Sequence, residues 1–167
     1  VVGRVAIYDG SRGGQPAAIR PWTKRAASML KTRLTDLLGI RYPVNSASMA
    51  RMSGGRRAGA VSAAGGLGTF GAASNIPAAL DPNYIREQIR LIRSVTDQPF
   101  GVGFITHALD VVPHNFEAVL AEQVPVMLFS FADPTPWVPR ANDPGAKVIS
   151  QVQSMEGARL AVAAGAD

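Results

Sequence analysis

Three glycines in the first half of the chain have the spacing of a nucleotide-binding fingerprint. The stretch Gly66-Leu67-Gly68-Thr69-Phe70-Gly71 reads G-x-G-x-x-G. In a dinucleotide-binding fold a strand precedes the first glycine and a helix opens at the third, so that helix amides meet a pyrophosphate. Here helical sequence (Ala58–Ala64) comes first, an extended segment follows, and no acidic residue stands at a strand end about 20 positions on. The glycines therefore predict a turn from a helix into a strand, with Gly65 as the helix C-cap.

The remaining candidates for acid–base or nucleophilic chemistry are two histidines and a serine. His107 lies just past a predicted strand and could line the mouth of a site, whereas His114 belongs to the first turn of a predicted helix. Ser130 alternates out of a buried strand toward the same mouth, but no partner base is evident for it. Asp133 and Glu156 are interpreted as charges at helix N-termini. No spacing suits a metal ion, and the absence of cysteine excludes thiol nucleophiles, thiolate ligands and disulfides.

Composition and charge narrow the class of protein. The 167 residues are 47% hydrophobic and 17% charged, which indicates one globular domain rather than a disordered chain. The net charge is +5, but residues 1–28 account for +4 of it and the rest of the chain for +1. Because this body has no basic face with interleaved aromatics, we expect no nucleic-acid partner. No apolar run reaches the roughly 18 residues of a transmembrane helix, so we expect a soluble, cytoplasmic protein with no membrane partner.

The first 28 residues differ from the rest in composition. They are rich in Gly, Arg and Ala, and they show no sustained helical or strand period. A disordered tail, a targeting peptide and translated sequence upstream of the true start are the three alternatives. Asp9, Gly13-Gly14 and two prolines argue against an amphipathic targeting helix. We therefore expect a tail or upstream sequence at 1–28, and a domain at 29–167 that opens with Met29.

Strands and helices alternate through this predicted domain. Strands are predicted at 42–47, 67–72, 100–105, 124–131 and 146–152, and helices at 34–39, 54–64, 82–96, 114–122, 137–142 and 154–164. Five β–α units with short connections predict a parallel sheet, either an open doubly wound sheet or a (β/α)₈ barrel. The body is too short for the roughly 250 residues of eight units, and it stops at Asp167, where a sixth strand should begin.

A series of motifs in fixed order covers the chain from about residue 30 to its end. The motifs are Leu34-Thr35-Asp36-Leu37-Leu38-Gly39-Ile40-Arg41-Tyr42-Pro43, Ala47-Ser48-Met49-Ala50, Ala64-Gly65-Gly66-Leu67-Gly68, Pro99-Phe100-Gly101-Val102, Val112-Pro113-His114-Asn115-Phe116-Glu117, Gly145-Ala146-Lys147-Val148-Ile149, Glu156-Gly157-Ala158-Arg159 and Ala164-Gly165-Ala166-Asp167. In this order they resemble the N-terminal part of the nitronate monooxygenase family, also called 2-nitropropane dioxygenase-like.

That resemblance implies a fold, a cofactor and a reaction. It implies an α/β fold of the (β/α)₈ TIM-barrel type, truncated to about five β–α units, with FMN across the C-terminal ends of the strands. The implied reaction oxidises an alkyl nitronate with O₂ to a carbonyl compound and nitrite. The flavin-dependent enoyl-ACP reductases share this N-terminal pattern, so that activity stays open as an alternative. A non-catalytic half-barrel also stays open, since the unpaired edges of the first and fifth strands favour self-association.

Carried over position by position, the resemblance implies a set of cofactor-binding residues. Ala47, Ser48 and Met49 end the first strand and should run against the flavin ring, with Ser48 standing where the family usually has proline. Gly103 stands where the family commonly has an asparagine that contacts the flavin, so that side-chain contact is missing here. Gln151 ends the fifth strand and should face the flavin pocket. No catalytic residue is assigned, because the family's histidine lies in a Gly-Gly-His loop beyond Asp167, as do its flavin-phosphate glycines.

Overall fold

The computed structural model describes residues 30–50, 52–73 and 81–167. The prediction of a tail at 1–28 lies outside the described residues. The helices are α1 (Arg33–Leu38), α2 (Gly55–Ala63), α3 (Pro82–Arg93), α4 (Pro113–Ala121), α5 (Val138–Asn142) and α6 (Met155–Ala163), and the strands are β1 (Gly68–Ala73), β2 (Phe100–Ile105), β3 (Val126–Ser130) and β4 (Lys147–Ser150). A 3₁₀ helix covers Thr106–Asp110. None of the helices in these ranges is long and apolar enough to cross a membrane.

The four strands form one parallel sheet in the order β1–β2–β3–β4. A helix connects each strand to the next, because parallel neighbours need a long crossover. This sequential order favours the barrel type, since the strand order of a doubly wound sheet reverses at a switch point. The predicted α/β class with parallel strands is confirmed.

The first predicted strand, at 42–47, is reduced to a single bridge. Asn45 pairs with Leu67 in the parallel sense just before β1. The next residue, Ser46, accepts a hydrogen bond from the Thr69 N–H through its side chain at 2.8 Å, and its carbonyl accepts one from the Thr69 hydroxyl. Backbone bonds flank the bridge, from the Leu67 N–H to the Val44 carbonyl and from the Ser46 N–H to the Leu67 carbonyl, and beyond it the pairing continues only through the side-chain bonds between Ser46 and Thr69. The sheet therefore has four strands where five were predicted.

The glycine-rich stretch is the junction between α2 and β1, as predicted. Gly65 has φ 98° and ends the helical turn. A Cβ atom on Gly68 would lie 1.7 Å from the carbonyl oxygen of Ala58, so α2 packs directly on the β1 backbone. The Ser62 hydroxyl accepts a hydrogen bond from the Gly68 N–H and donates one to the Pro99 carbonyl, at 3.0 and 2.8 Å. These contacts are packing contacts, and the stretch does not form a phosphate loop.

The predicted helix boundaries rest on caps that the structure contains. The Asp81 carboxylate accepts a hydrogen bond from the Asn83 N–H, and proline follows it at the first position of α3. The Ser154 hydroxyl caps α6 in the same way, by accepting from Gly157 N. Helix α3 ends at Arg93, three residues short of the prediction. Helix α5 has five residues, which agrees with the prolines in that region.

Alternate residues of the strands face two different cores. The outer core lies between the sheet and the helices, and its largest members are aromatic: Phe70, Phe104, Phe116 and Phe129, with Trp137 against them. The inner cluster lies on the opposite face and consists of Leu38, Ile40, Leu67, Val126 and Leu128, with Ile149 against them. Two-residue periodicity explains the division, because successive side chains of a strand point to opposite faces.

Candidate functional site

A groove opens at the carboxyl ends of β3 and β4, where the extended segment after Asn45 crosses the inner face of the sheet. Its volume is about 330 Å³. One wall is formed by Asn45, Ala47, Ser48 and Met49, and the other by Leu128, Phe129, Ser130, Phe131, Ile149, Ser150 and Gln151. The carboxyl ends of the strands are the face on which parallel barrels carry their sites. This groove is therefore the candidate functional site.

The structure places the five predicted cofactor-binding residues at or beside this groove. Ala47, Ser48 and Met49 line one wall, and Gln151 lines the other immediately after the end of β4. Gly103 does not line the groove. It is buried in β2 below Ser48, in strand register with Leu128. The residues thus come together from three separate parts of the chain, and their contacts with a cofactor stay a prediction.

Ser48 and Gly103 occupy one space between them. A Cβ atom on Gly103 would lie 2.0 Å from Ser48 Oγ and 2.5 Å from its Cβ, so the Ser48 side chain would have to shift. A Cβ atom on the neighbouring Gly71 would lie 3.1 Å from the Ser48 carbonyl oxygen. The two positions at which the resemblance implies departures, Ser48 and Gly103, therefore lie against each other. An asparagine at 103 would displace the Ser48 side chain.

Among the residues that the structure describes, the lining of the groove is uncharged. Its polar side chains are three serines, Asn45 and Gln151, and none of the lining residues carries an ionisable side chain. Ser150 Oγ is buried and has no hydrogen-bond partner within the described ranges. A neutral lining with free hydroxyl and amide groups suits a ligand that is mostly apolar and carries polar atoms at its edge.

The histidines lie away from the groove, whereas one predicted serine reaches it. His107 is exposed on the 3₁₀ helix after β2, and His114 is exposed in the first turn of α4. Neither belongs to the lining. Ser130 ends β3 and lines the groove, as its alternation predicted. Within the part of the chain that the structure describes, the groove therefore has hydrogen-bonding groups but no general base.

Asp133 lies beyond the groove, beside a smaller cavity of about 230 Å³ that Gln151 also lines. The hydroxyl and the N–H of Thr135 both donate to the Asp133 carboxylate and lower its pKa below the usual value. The interaction closes a turn ahead of α5, which begins at Val138. The interpretation of Asp133 as a helix N-terminal charge is therefore wrong, because its carboxylate accepts hydrogen bonds within this turn and not from the first turn of α5.

Phe131 also lines the groove, although no motif in the sequence predicts it as a site residue. It has φ 69° and a side chain that is 57% exposed. A positive φ is expected at glycine or asparagine and is uncommon at an aromatic residue. No local sequence signal marks such a position. Asn45 was also missed as a site residue, because it lay inside a predicted regular strand.

Comparisons with known proteins identify the family of the chain. The sequence profile of the nitronate monooxygenase family matches residues 31–118. The chain is 39% identical over 93 residues to a nitronate monooxygenase of Paraburkholderia phytofirmans. The aligned region covers 56% of this chain and 23% of that protein. It is 35% identical over 138 residues to a 5-hydroxy-7a-methyl-1-oxo-octahydro-1H-indene-4-carboxyl-CoA dehydrogenase of Mycobacterium tuberculosis, which covers 83% of this chain and 37% of that protein.

A solved structure supports the fold in the same way. FabK from Thermotoga maritima superimposes with a TM-score of 0.75 at 36% identity, over 83% of this chain and 42% of that protein. The match confirms the predicted barrel-type α/β fold. The chain spans about two fifths of the length of these broader matches. The profile covers more than half of the chain, and the chain belongs to the nitronate monooxygenase family of oxidoreductases, which is typically flavin-dependent.

Proposed function

We propose that the groove is part of the FMN site of an oxidoreductase that oxidises alkyl nitronates with O₂ to a carbonyl compound and nitrite. The observation that carries the proposal is the meeting of Ala47, Ser48, Met49 and Gln151 in one groove at the carboxyl ends of parallel strands. These are four of the five residues that the family resemblance implies as flavin contacts. Family membership supports the class of cofactor.

The chemistry of the lining fits the ring system of FMN. A flavin ring is flat and uncharged when oxidised, with carbonyl and N–H groups along one edge. The uncharged lining meets the first requirement, and the Ser130 hydroxyl with the Ser48 and Gln151 side chains meets the second. The described lining residues include no lysine or arginine, so the phosphate of FMN is expected to be held by groups other than these residues.

Each wall has a separate part in the proposed activity. FMN supplies the redox chemistry when it is bound. Ala47 and Met49 pack against the ring, and the Ser48 hydroxyl and the Gln151 amide hold its polar edge in one orientation. Leu128 and Ile149, from the inner cluster, exclude water from the buried side of the groove.

An FMN titration of the purified chain tests the proposal. We expect quenching of flavin fluorescence and a retained absorption band near roughly 450 nm, which is typical of oxidised flavin. Ser48→Ala and Gln151→Ala should each weaken binding about five- to tenfold, as the loss of one hydrogen bond does. Ser94→Ala and Gln98→Ala are matched controls at exposed positions away from the groove and should bind as the wild type does. A chain that retains no FMN would contradict the proposal.

Reduction of the carbon–carbon double bond of an enoyl thioester by reduced nicotinamide is the second candidate reaction. The relatives that match 83% of the chain include a carboxyl-CoA dehydrogenase, and FabK belongs to the enoyl reductases that share the N-terminal pattern. The FMN-loaded chain should be given an alkyl nitronate with O₂ in one assay, and an enoyl thioester with reduced nicotinamide in another. Nitrite supports the first reaction and a saturated thioester supports the second. Bound FMN with neither product supports the non-catalytic half-barrel.

A further inference from the structure

Phe131 combines an unfavourable backbone conformation with an exposed aromatic ring at the edge of the groove. We propose that Phe131 is a ligand-contacting residue whose ring stacks on the flat ring system held in the groove. This inference rests on the proposed function, because the ligand it names is the flavin ring of FMN. Neither the family pattern nor the candidate residues from the sequence included this position.

The backbone at Phe131 is in the left-handed region. Its φ of 69° crowds the Cβ atom of any L-residue, whereas glycine adopts it without cost. The other non-glycine residue with a positive φ among the described residues is Gln123, at 49°, just after α4. Gln123 is a polar residue of a helix end, where such a conformation is common. An aromatic side chain at such a position points to a requirement for the ring itself.

The Phe131 ring contributes nothing visible to the core of the protein. It is 57% exposed, whereas Phe129, two residues earlier, is 1% exposed and stacks on Phe104 with ring centroids 5.5 Å apart. Met49 is 47% exposed in the facing wall, and these two are the exposed large apolar side chains of the lining. The groove therefore presents apolar surface from both walls, which a flat apolar ligand would remove from water.

Aromatic stacking explains why phenylalanine suits this position. A ring offers a flat face to a flat ligand and loses little conformational freedom on binding. The thioether of Met49 is polarisable and makes favourable contacts with aromatic systems from the other side. A leucine at 131 would keep an apolar side chain but would lack the flat face of an aromatic ring, and a tyrosine would keep that flat face.

The test measures FMN affinity and thermal stability in the same set of variants. Phe131→Gly removes the ring and relieves the backbone, so we expect binding about tenfold weaker and a Tm unchanged or raised by up to about 2 °C. Phe131→Leu should weaken binding less, and Phe131→Tyr should bind as the wild type does. Gln123→Gly is the matched control, since it relieves a comparable φ outside the groove. It should leave FMN affinity unchanged.

The outcomes separate this inference from the proposed function. A wild-type chain that binds no FMN would overturn both. A wild-type chain that binds FMN as tightly as Phe131→Gly and Phe131→Leu do would overturn the stacking role alone. A marked fall in the Tm of Phe131→Gly without bound FMN would also overturn it, because the ring would then be a structural element.

Discussion

The two faces of the four-stranded sheet are built from residues of different size. On the helix-facing side, the Phe116 ring lies 5.6 Å from that of Phe104, 6.1 Å from that of Phe129 and 5.2 Å from that of Trp137. On the inner side, β1 and β2 present glycines against which the segment after Asn45 lies, and β3 and β4 end at an open groove. The outer face is packed with aromatic rings. On the inner face, the glycines of β1 and β2 have no side chain and leave space for the segment after Asn45.

This difference separates stability from the site. Close packing of large apolar groups supplies most of the free energy of folding. A ligand groove needs the opposite, because it must leave apolar and polar groups without protein partners. The packing of the outer core can therefore hold the strands in position while the groove on the inner face stays open. Substitutions on the two faces should have different consequences.

The largest effect is expected for Phe116→Ala in the outer core. The side chain is fully buried and in contact with three aromatic rings, so its loss should lower the free energy of unfolding by about 3–5 kcal/mol. Urea denaturation followed by circular dichroism measures it. The same truncation at the exposed ring, Phe131→Ala, should change stability by less than about 0.5 kcal/mol. Similar losses in the free energy of unfolding for Phe116→Ala and Phe131→Ala would contradict the difference described between the two faces.

A smaller effect is expected for Gly103→Ala on the inner face. The new Cβ would meet the Ser48 side chain, so we expect a loss of about 1–3 kcal/mol and weaker FMN binding. Because the obstruction is a side chain, Ser48→Gly in the same chain should restore most of the stability. Gly68→Ala is the contrasting case on the outer face, where the obstacle is the Ala58 carbonyl.

Ser48→Gly should not restore the Gly68→Ala variant. Gly157→Ala is a matched control, because its Cβ would have an ordinary contact at 3.4 Å, and it should leave stability nearly unchanged. If Ser48→Gly failed to improve Gly103→Ala, the two residues would not share one space as described.

The smallest effect is expected at the edge of β4, which belongs to neither face. Burial alone would raise the pKa of Asp167, but hydrogen bonds from Lys147 and the Val148 N–H, with the lysine charge, outweigh it and hold that pKa below 3.8. A lowered pKa stabilises the fold above pH 3.8, and this contribution is lost as the pH falls through the folded-state value.

Asp167→Asn should therefore cost about 0.5 kcal/mol at pH 7, since Lys147 is half-exposed and screened by solvent. The difference from the wild type should shrink as the pH falls below 3.8, and it should also shrink in high salt. Asp97→Asn, in an exposed loop, is the control. A cost that persisted unchanged at low pH would show that the carboxylate charge is not responsible.

Regular patterns in the sequence predicted the regular parts of the fold. The strand at 100–105 was predicted with the observed bounds of β2, and the apolar spacing of Ile85, Ile89 and Ile92 identified the buried face of α3. The strand at 42–47 was overpredicted, because no sequence pattern reveals that the segment pairs at the single bridge of Asn45 with Leu67 and continues through side-chain bonds between Ser46 and Thr69.

The site residues that belong to a sequence motif could be predicted. The contacts that form only when distant parts of the chain fold together could not. Ala47, Ser48, Met49 and Gln151 follow from the family resemblance and line one groove. The contact of Ser48 with Gly103 joins two motifs that are 55 positions apart. The left-handed backbone of Phe131 likewise depends on how β3 leads into the next loop.

The central claim is that the groove at the carboxyl ends of β3 and β4 holds the flavin ring. Hydrogen–deuterium exchange of the whole chain, with and without saturating FMN, tests this location directly. We expect slower exchange at 46–50, 128–131 and 149–152, and no change with inorganic phosphate, which lacks the ring. Slower exchange elsewhere in the chain, with these three segments unaffected, would contradict the account.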